Sequence, residues 1–298
     1  MSRSQGLPLS STWENTRRGW SKGLGRFIRR KPLGAAGGLF VLVLILTAIF
    51  APLLATHDFA AADTARVFGS PSGEHWLGTD KFGRDVYTRI VYGSRISLAV
   101  GLGSTLLAVA VSTFLGVVSG YFLGWLDLLL QRFMDIMQGV PALILAIVIG
   151  AALEPSLTTV IIAISIPIVP RVARVIRSSA LAIRGMTYVE AGRALGASHR
   201  RIMLSHILPN IMGPVYILAT AQLGSAIVVE ASLSFLGLGI PEPLPSWGRM
   251  LAGSATEYID KAPWLIFMPG LAISLAVFAF NLLGDAIRDV LDPKLRGG

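Results

Sequence analysis

Residues 33–55 read "LGAAGGLFVLVLILTAIFAPLLA", twenty-three residues in a row without a charge. A hydrocarbon core about 30 Å thick requires roughly 20 apolar residues in helical form. This run is long enough to cross a bilayer, and a helix that is apolar all round has no face to offer water. Outward from it, the rest of the chain tells the same story. Hydrophobic residues make up 53% of the 298 and charged residues only 14%, against about 25% charged in soluble domains. The mean hydropathy is +0.65.

Five further segments approach spanning length: residues 94–123, 133–153, 156–176, 211–236 and 264–283. The expected fold is therefore all-α, a polytopic membrane protein of about six transmembrane helices. Pro167 and Pro170 are expected to break the fourth span, and Pro141 to kink the third. Proline at membrane depth is tolerated only where neighbouring protein satisfies the freed backbone groups. Gly116, Gly120 and Gly124 repeat at every fourth residue on the second span, a spacing that lets another helix approach closely in lipid. That helix belongs either to a partner subunit or to this chain.

The net charge of +9 does not read as nucleic-acid binding, because the basic residues are not interleaved with aromatics on a compact polar domain. They gather at the ends of apolar runs. With the N-terminus inside, the cytoplasmic segments hold 19 Lys and Arg and the external ones 7. The positive-inside rule then places both termini in the cytoplasm. Residues 1–32 form a basic N-terminal segment and 33–298 the transmembrane region, with an external loop at 56–93 and a cytoplasmic loop at 177–210. Within the N-terminal segment, residues 13–31, "WENTRRGWSKGLGRFIRRK", have the aromatic and basic mixture of a helix lying on the membrane surface. A short polar leader followed by a cleavage site is not evident there.

Catalytic and energising motifs are missing. The chain has no cysteine, no G-x-x-x-x-G-K-[ST] phosphate loop, no H-E-x-x-H and no G-x-S-x-G elbow. His57, His75, His199 and His206 are too scattered to read as a ligand set, and His199 and His206 read as solvated loop residues. No enzyme activity is expected. Glu230 is the exceptional ionisable group within a span, and an intramembrane carboxylate marks a candidate translocation pathway unless it snorkels or caps near the interface. No relay accompanies it and no internal repeat is visible, so the energy for transport is expected to come from another polypeptide, a self-sufficient secondary carrier being the alternative.

The cytoplasmic loop offers that polypeptide a handle. Residues 190–210 read "EAGRALGASHRRIMLSHILPN". The stretch is helix-compatible and too polar to re-enter lipid. Gly192 and Gly196 are four apart, and each costs a helix about 1 kcal/mol relative to Ala, which makes sense where a foreign surface comes close to the backbone. Glu190 and Arg193 are spaced for a local ion pair, and "HILPN" is expected to stop the pattern as the fifth span begins.

This stretch resembles the cytoplasmic loop of membrane subunits of binding-protein-dependent ABC importers, in which Glu-Ala-Ala, a downstream Gly and a closing Ile-x-Leu-Pro recur. Glu190, Ala191, Gly196, Leu208 and Pro209 match, whereas Gly192 stands where Ala is usual and His206 where Ile is usual. "HWLGTDKFGRDVYTRIVYGSRISL", "EASLSFLGLGIPEPLPSWGRML" and "FAFNLLGDAIRDVLDPKLRG" are similar to the second permease subunit of the dipeptide, oligopeptide and nickel importer family. The resemblance implies a type I importer permease fold and a multi-pass subunit of the bacterial cytoplasmic membrane. It implies as partners a homologous permease, two cytoplasmic ATP-binding subunits and an external solute-binding protein. No cofactor is then expected on this chain, ATP and Mg2+ being held by the partners. Glu190, Ala191, Gly192, Arg193 and Gly196, with Leu208 and Pro209 closing the motif, are implied as the contact through which ATPase closure reaches the spans. Peptide is the expected solute and nickel the alternative.

Overall fold

The computed structural model describes residues 31–252 and 260–291. The surface helix expected at 13–31 and the end of the chain beyond 291 lie outside the described residues. The helices are α1 (Pro32–Ile49), α2 (Ala51–Leu54), α3 (Val86–Phe122), α4 (Gly124–Gln138), α5 (Ala142–Ala152), α6 (Leu157–Arg184), α7 (Thr187–Ala194), α8 (His199–Ile202), α9 (Leu208–Phe235), α10 (Trp247–Leu251) and α11 (Trp264–Leu291). Five helical segments are long and apolar enough to cross a membrane: α1, α3, α6, the run His199–Phe235, and α11. Counted as one broken span, the bent pair α4 and α5 makes a sixth.

Pro141 does more than kink this third span. α4 and α5 meet at 89°, and the 11 residues of α5 reach only about 16 Å. Ion pairs to α6 accompany the bend on α4. Arg177 of α6 grips Asp127 with two hydrogen bonds, Nε to Oδ1 at 2.6 Å and Nη2 to Oδ2 at 2.5 Å, and Arg174 donates to Asp135 at 2.6 Å. These charges hold α4 across the end of α6, and α5 turns from there into the apolar layer.

The fourth span does not break. Pro167 and Pro170 lie inside one continuous helix that runs on to Arg184, eight residues past the expected end. The helix packs along α3 over much of its length. Gly116 and Gly120 form the closest part of that contact. A Cβ at Gly116 would lie 2.7 Å from the Ala173 carbonyl, and one at Gly120 2.8 Å from that of Arg177. The glycine face is thus used within this chain. Gly124 is not part of it: it has φ +63 and opens α4. Serines add bonds between the two helices, Ser112 Oγ to the Val169 carbonyl at 3.2 Å and Ser165 Oγ to that of Ser104 at 3.0 Å. Such bonds hold helices together where lipid supplies no hydrophobic drive.

α3 also begins earlier than expected, inside the anticipated external loop. Asp85 caps it, its side chain accepting from the Thr88 amide. The preceding turn is built by Asp80, which accepts from the Phe82 and Arg84 amides and from Arg84 Nε at 2.7 Å. Arg84 then reaches Glu242 at 2.9 Å, and Trp247 Nε1 donates to the Ile90 carbonyl at 2.9 Å. The stretch "GTDKFGRD" is therefore a clasp that ties the start of α3 to the segment after α9. Below we call this the far end of the bundle, and the end carrying α7 the near end.

Candidate functional site

At the near end, α7 is held by one buried side chain. Val189 is fully buried in a cluster with Val117, Tyr121, Ile176, Ile202 and Ile207, drawn from α3, α6 and the start of the fifth span. Gly192 and Arg193 are partly buried, and the rest of α7 faces outward. Glu190 and Ala191 are exposed, and so are Met186, Tyr188 and Leu195, the last at 88%. An aliphatic side chain so bare, on a segment too polar for lipid, is a contact looking for a surface.

Arg193 does not pair with Glu190. Its guanidinium lies over the Tyr121 ring, 5.0 Å from the centroid, and the Tyr121 hydroxyl meets His199 Nδ1 at 2.7 Å. Tyr121, at the end of α3, is therefore the anchor of the loop, and His199, exposed as expected, is also bonded to it. A buried tyrosine needs a partner for its hydroxyl, but nothing in the sequence indicates that the partner lies seventy-eight residues away.

Gly196 has a different local reason from the one its spacing suggested. It follows α7 with φ +79. Its amide bonds to the Arg193 carbonyl at 2.9 Å, and the Ala197 amide bonds to that of Gly192 at 3.0 Å. This pair of bonds closes a Schellman motif, with glycine at the left-handed position. Gly196 thus ends the helix, and a Cβ placed on it would meet nothing within 4 Å. Gly192 lies within the helix, where an added Cβ would sit 3.8 Å from His206 Nε2. The two positions that depart from the family pattern face each other.

"HILPN" does not stop the helix. The chain runs from His199 to Phe235 as one helical segment, with a π-turn at Met203–Ile207 immediately before α9. Pro209 has no amide and would clash with the carbonyl of residue 205 in a regular helix; the wider turn relieves this. The extra residue also moves the buried position. Ile202 and Ile207 are both fully buried although five apart, whereas a regular helix would bring His206 to that face. Leu208 is partly buried against the same cluster, and Pro209 is exposed.

Glu230 does not snorkel. It is 1% exposed, accepts from Ser234 Oγ at 2.7 Å and Ser97 Oγ at 3.3 Å, and has Ser246 as a third partner. No basic side chain among the described residues pairs with it. At the far end, a cavity of about 240 Å³ is lined by Asp80, Arg84, Arg89, Glu242 and Arg249. The histidines, read as scattered, also converge there. His57 and His75 stack with ring centroids 4.6 Å apart, both beside Asp85.

Paired apolar spans with an anchored, outward-facing polar helix between two of them define a membrane-spanning transport permease. The chain belongs to the binding-protein-dependent transport system inner membrane component family, whose model matches residues 112–297. Residues 20–70 match the N-terminal TM domain of oligopeptide transport permease C. The dipeptide transport system permease protein DppC of Alkalihalophilus pseudofirmus is 44% identical over 269 residues, covering 90% of this chain and 88% of that one. The glutathione transport system permease protein GsiD of Pectobacterium atrosepticum is 40% identical over 284 residues, covering 95% and 94%. Among solved structures, the inward-facing MetNI methionine ABC transporter shares the fold, with TM-score 0.56 at 19% identity over 68% of this chain and 96% of that one.

Proposed function

We propose that the chain is the translocation subunit of an ATP-driven importer of dipeptides or oligopeptides in the bacterial cytoplasmic membrane. It pairs with a homologous permease, is driven by two separate ATP-binding subunits that hold ATP and Mg2+, and receives solute from an external binding protein. The near end, with both termini, is cytoplasmic. Peptide as the solute draws support from relatives named for dipeptide, glutathione and peptide transport.

The observation that carries the coupling reading is the outward face of α7. It lies outside the spans and is fixed to three of them through Val189 and Tyr121, and it presents Glu190, Ala191 and Leu195 to solvent. Gly192, Arg193, Gly196, Leu208 and Pro209 shape and anchor this contact. An apolar groove of about 690 Å³ between α3 and the fifth span, lined by residues such as Phe114, Val117, Leu204 and Met212, supports pairing with the second permease. Glu230 is the candidate pathway residue, being a buried carboxylate without a basic partner.

The test is uptake by the reconstituted complex, with dipeptide, a longer peptide and nickel in competition. Peptide uptake unaffected by excess nickel supports the reading. Nickel uptake that peptides do not inhibit would overturn the peptide assignment and leave the permease assignment standing.

A further inference from the structure

The far end carries three metal-ligand side chains that converge from separate parts of the chain. His57 follows α2, His75 lies in the middle of the loop, and Asp85 caps α3. One ligand atom from each can be chosen so that all lie within 4.8 Å of one another. His75 Nδ1 is 2.9 Å from Asp85 Oδ1, and His57 Nδ1 is 3.9 Å from Asp85 Oδ2. A tetrahedral ion with bonds of about 2.0–2.2 Å holds its ligand atoms about 3.4 Å apart. The two histidine–aspartate separations lie on either side of that spacing.

We propose that His57, His75 and Asp85 form a binding site for a borderline divalent transition-metal ion of the Zn2+ type. Two imidazoles and one carboxylate suit such an ion and not Mg2+ or Ca2+, which favour all-oxygen shells. Burial is graded as a three-ligand site requires. The side chain of Asp85 is 1% exposed, that of His75 11% and that of His57 31%, so the open edge lies on His57 and leaves water the fourth position. Asp85 Oδ2 accepts from the Thr88 amide at 2.8 Å, which fixes the carboxylate in place. The His57 amide is bound to Thr88 Oγ1 at 3.3 Å, which brings the first histidine to the same helix end.

Two neighbours oppose the site. Thr56 Oγ1 lies 2.9 Å from His57 Nδ1, and this hydroxyl must turn away for that nitrogen to ligate. Arg66 Nη1 lies 3.3 Å from His75 Nε2, and a metal on Nδ1 leaves a proton on Nε2 facing that guanidinium. Arg66 is half exposed and already bound to Glu74 at 2.5 Å and Asp63 at 3.4 Å, so it turns toward those carboxylates without losing its partners. The ion would bind the chain after α2, the middle of the loop and the start of α3 into one unit. This inference stands apart from the transport reading.

The test is a calorimetric Zn2+ titration of the full chain in detergent, carrying no polyhistidine tag, with Co2+ as a spectroscopic probe. Wild type is expected to bind one ion per chain and to show the visible bands of four- or five-coordinate Co2+. His57→Gln alters the most exposed ligand and leaves the Asp85 cap intact; it is expected to weaken binding by at least about tenfold. His199→Gln and His206→Gln should bind as wild type does, and millimolar Mg2+ or Ca2+ should not compete. Zn2+ should raise the unfolding temperature of wild type and not of His57→Gln. Unchanged affinity in His57→Gln, or an equal loss in His206→Gln, would overturn the site.

Discussion

Gly196 lets the coupling proposal be separated from a purely local role. Its φ of +79 costs an ordinary L-residue roughly 1–2 kcal/mol, a factor of about 5–30 in the population of the native loop. The space where its side chain would go is open, with nothing within 4 Å. Steric damage inside the subunit is therefore absent, and variants should reach the membrane in normal amounts. Gly196→Ala pays the conformational cost with a minimal side chain. Gly196→Asn largely avoids that cost, because Asn tolerates the left-handed region, yet it projects an amide from the outward surface. Gly196→Leu does both. ATP-coupled uptake in proteoliposomes, with hydrolysis followed in parallel, is expected to fall moderately in Ala, to fall in Asn, and to fall furthest in Leu, hydrolysis persisting throughout. Gly192→Ala is the control. Its methyl makes an ordinary contact with His206 and gains about 1 kcal/mol of helix propensity, so uptake should hold. Wild-type uptake in Asn with a deficit in Ala would reduce Gly196 to a helix terminator, and wild-type uptake in Leu would refute the docking surface itself.

Other expectations follow from packing and charge. Gly116→Ala places a methyl 2.7 Å from the Ala173 carbonyl, an overpacking worth about 1–3 kcal/mol, whereas Gly213→Ala meets nothing within 4 Å. Thermal unfolding in detergent should show a drop for the first and none for the second. Glu230→Gln keeps one oxygen as an acceptor and turns the other into an NH2 that a serine hydroxyl can accept from, so it should retain stability, while Glu230→Ala should lose about 2–5 kcal/mol. Uptake lost in a stable Gln variant supports a pathway role, and uptake retained removes it. Burial pushes the Glu242 carboxyl up, but the Arg84 hydrogen bond and the nearby guanidiniums hold it below its ordinary 4.5. The unfolded chain then binds the proton more readily, so this carboxylate's stabilisation is complete above pH 4.5 and is lost as the pH falls through the folded value. Wild type should lose its margin over Glu242→Gln in that acid range; a margin constant down to pH 3 would show that the Arg84 contact contributes nothing.

The spans were legible because lipid imposes one requirement on every residue of a crossing helix, and a run such as 33–55 satisfies it locally. Features set by contacts between distant segments were not. The prolines of α6 look like breaks, yet the helix runs through both beside α3, and the right angle at Pro141 comes with long-range ion pairs from Arg174 and Arg177. The loop motif was found by its spacing, but its anchor, Tyr121, belongs to a different helix. The histidines at 57 and 75 reach Asp85 through turns whose geometry has no periodic signature. Gly196 was singled out from its position, and the role visible in the structure is the sign of one backbone angle.

The π-turn at Met203–Ile207 has a rotational consequence. An α-helix advances about 100° per residue, so one surplus residue in that turn sets the azimuth of everything beyond it. Ile202 and Glu230 lie on the same continuous segment, and their relative bearing around its axis is fixed at that point. Removing one residue between Met203 and Ile207 would keep the segment's composition nearly constant while swinging the near end by about a quarter-turn against the far end. The phase of this rod is a quantity separate from its length or its apolarity, and it sets the bearing of the buried carboxylate relative to the end that carries α7.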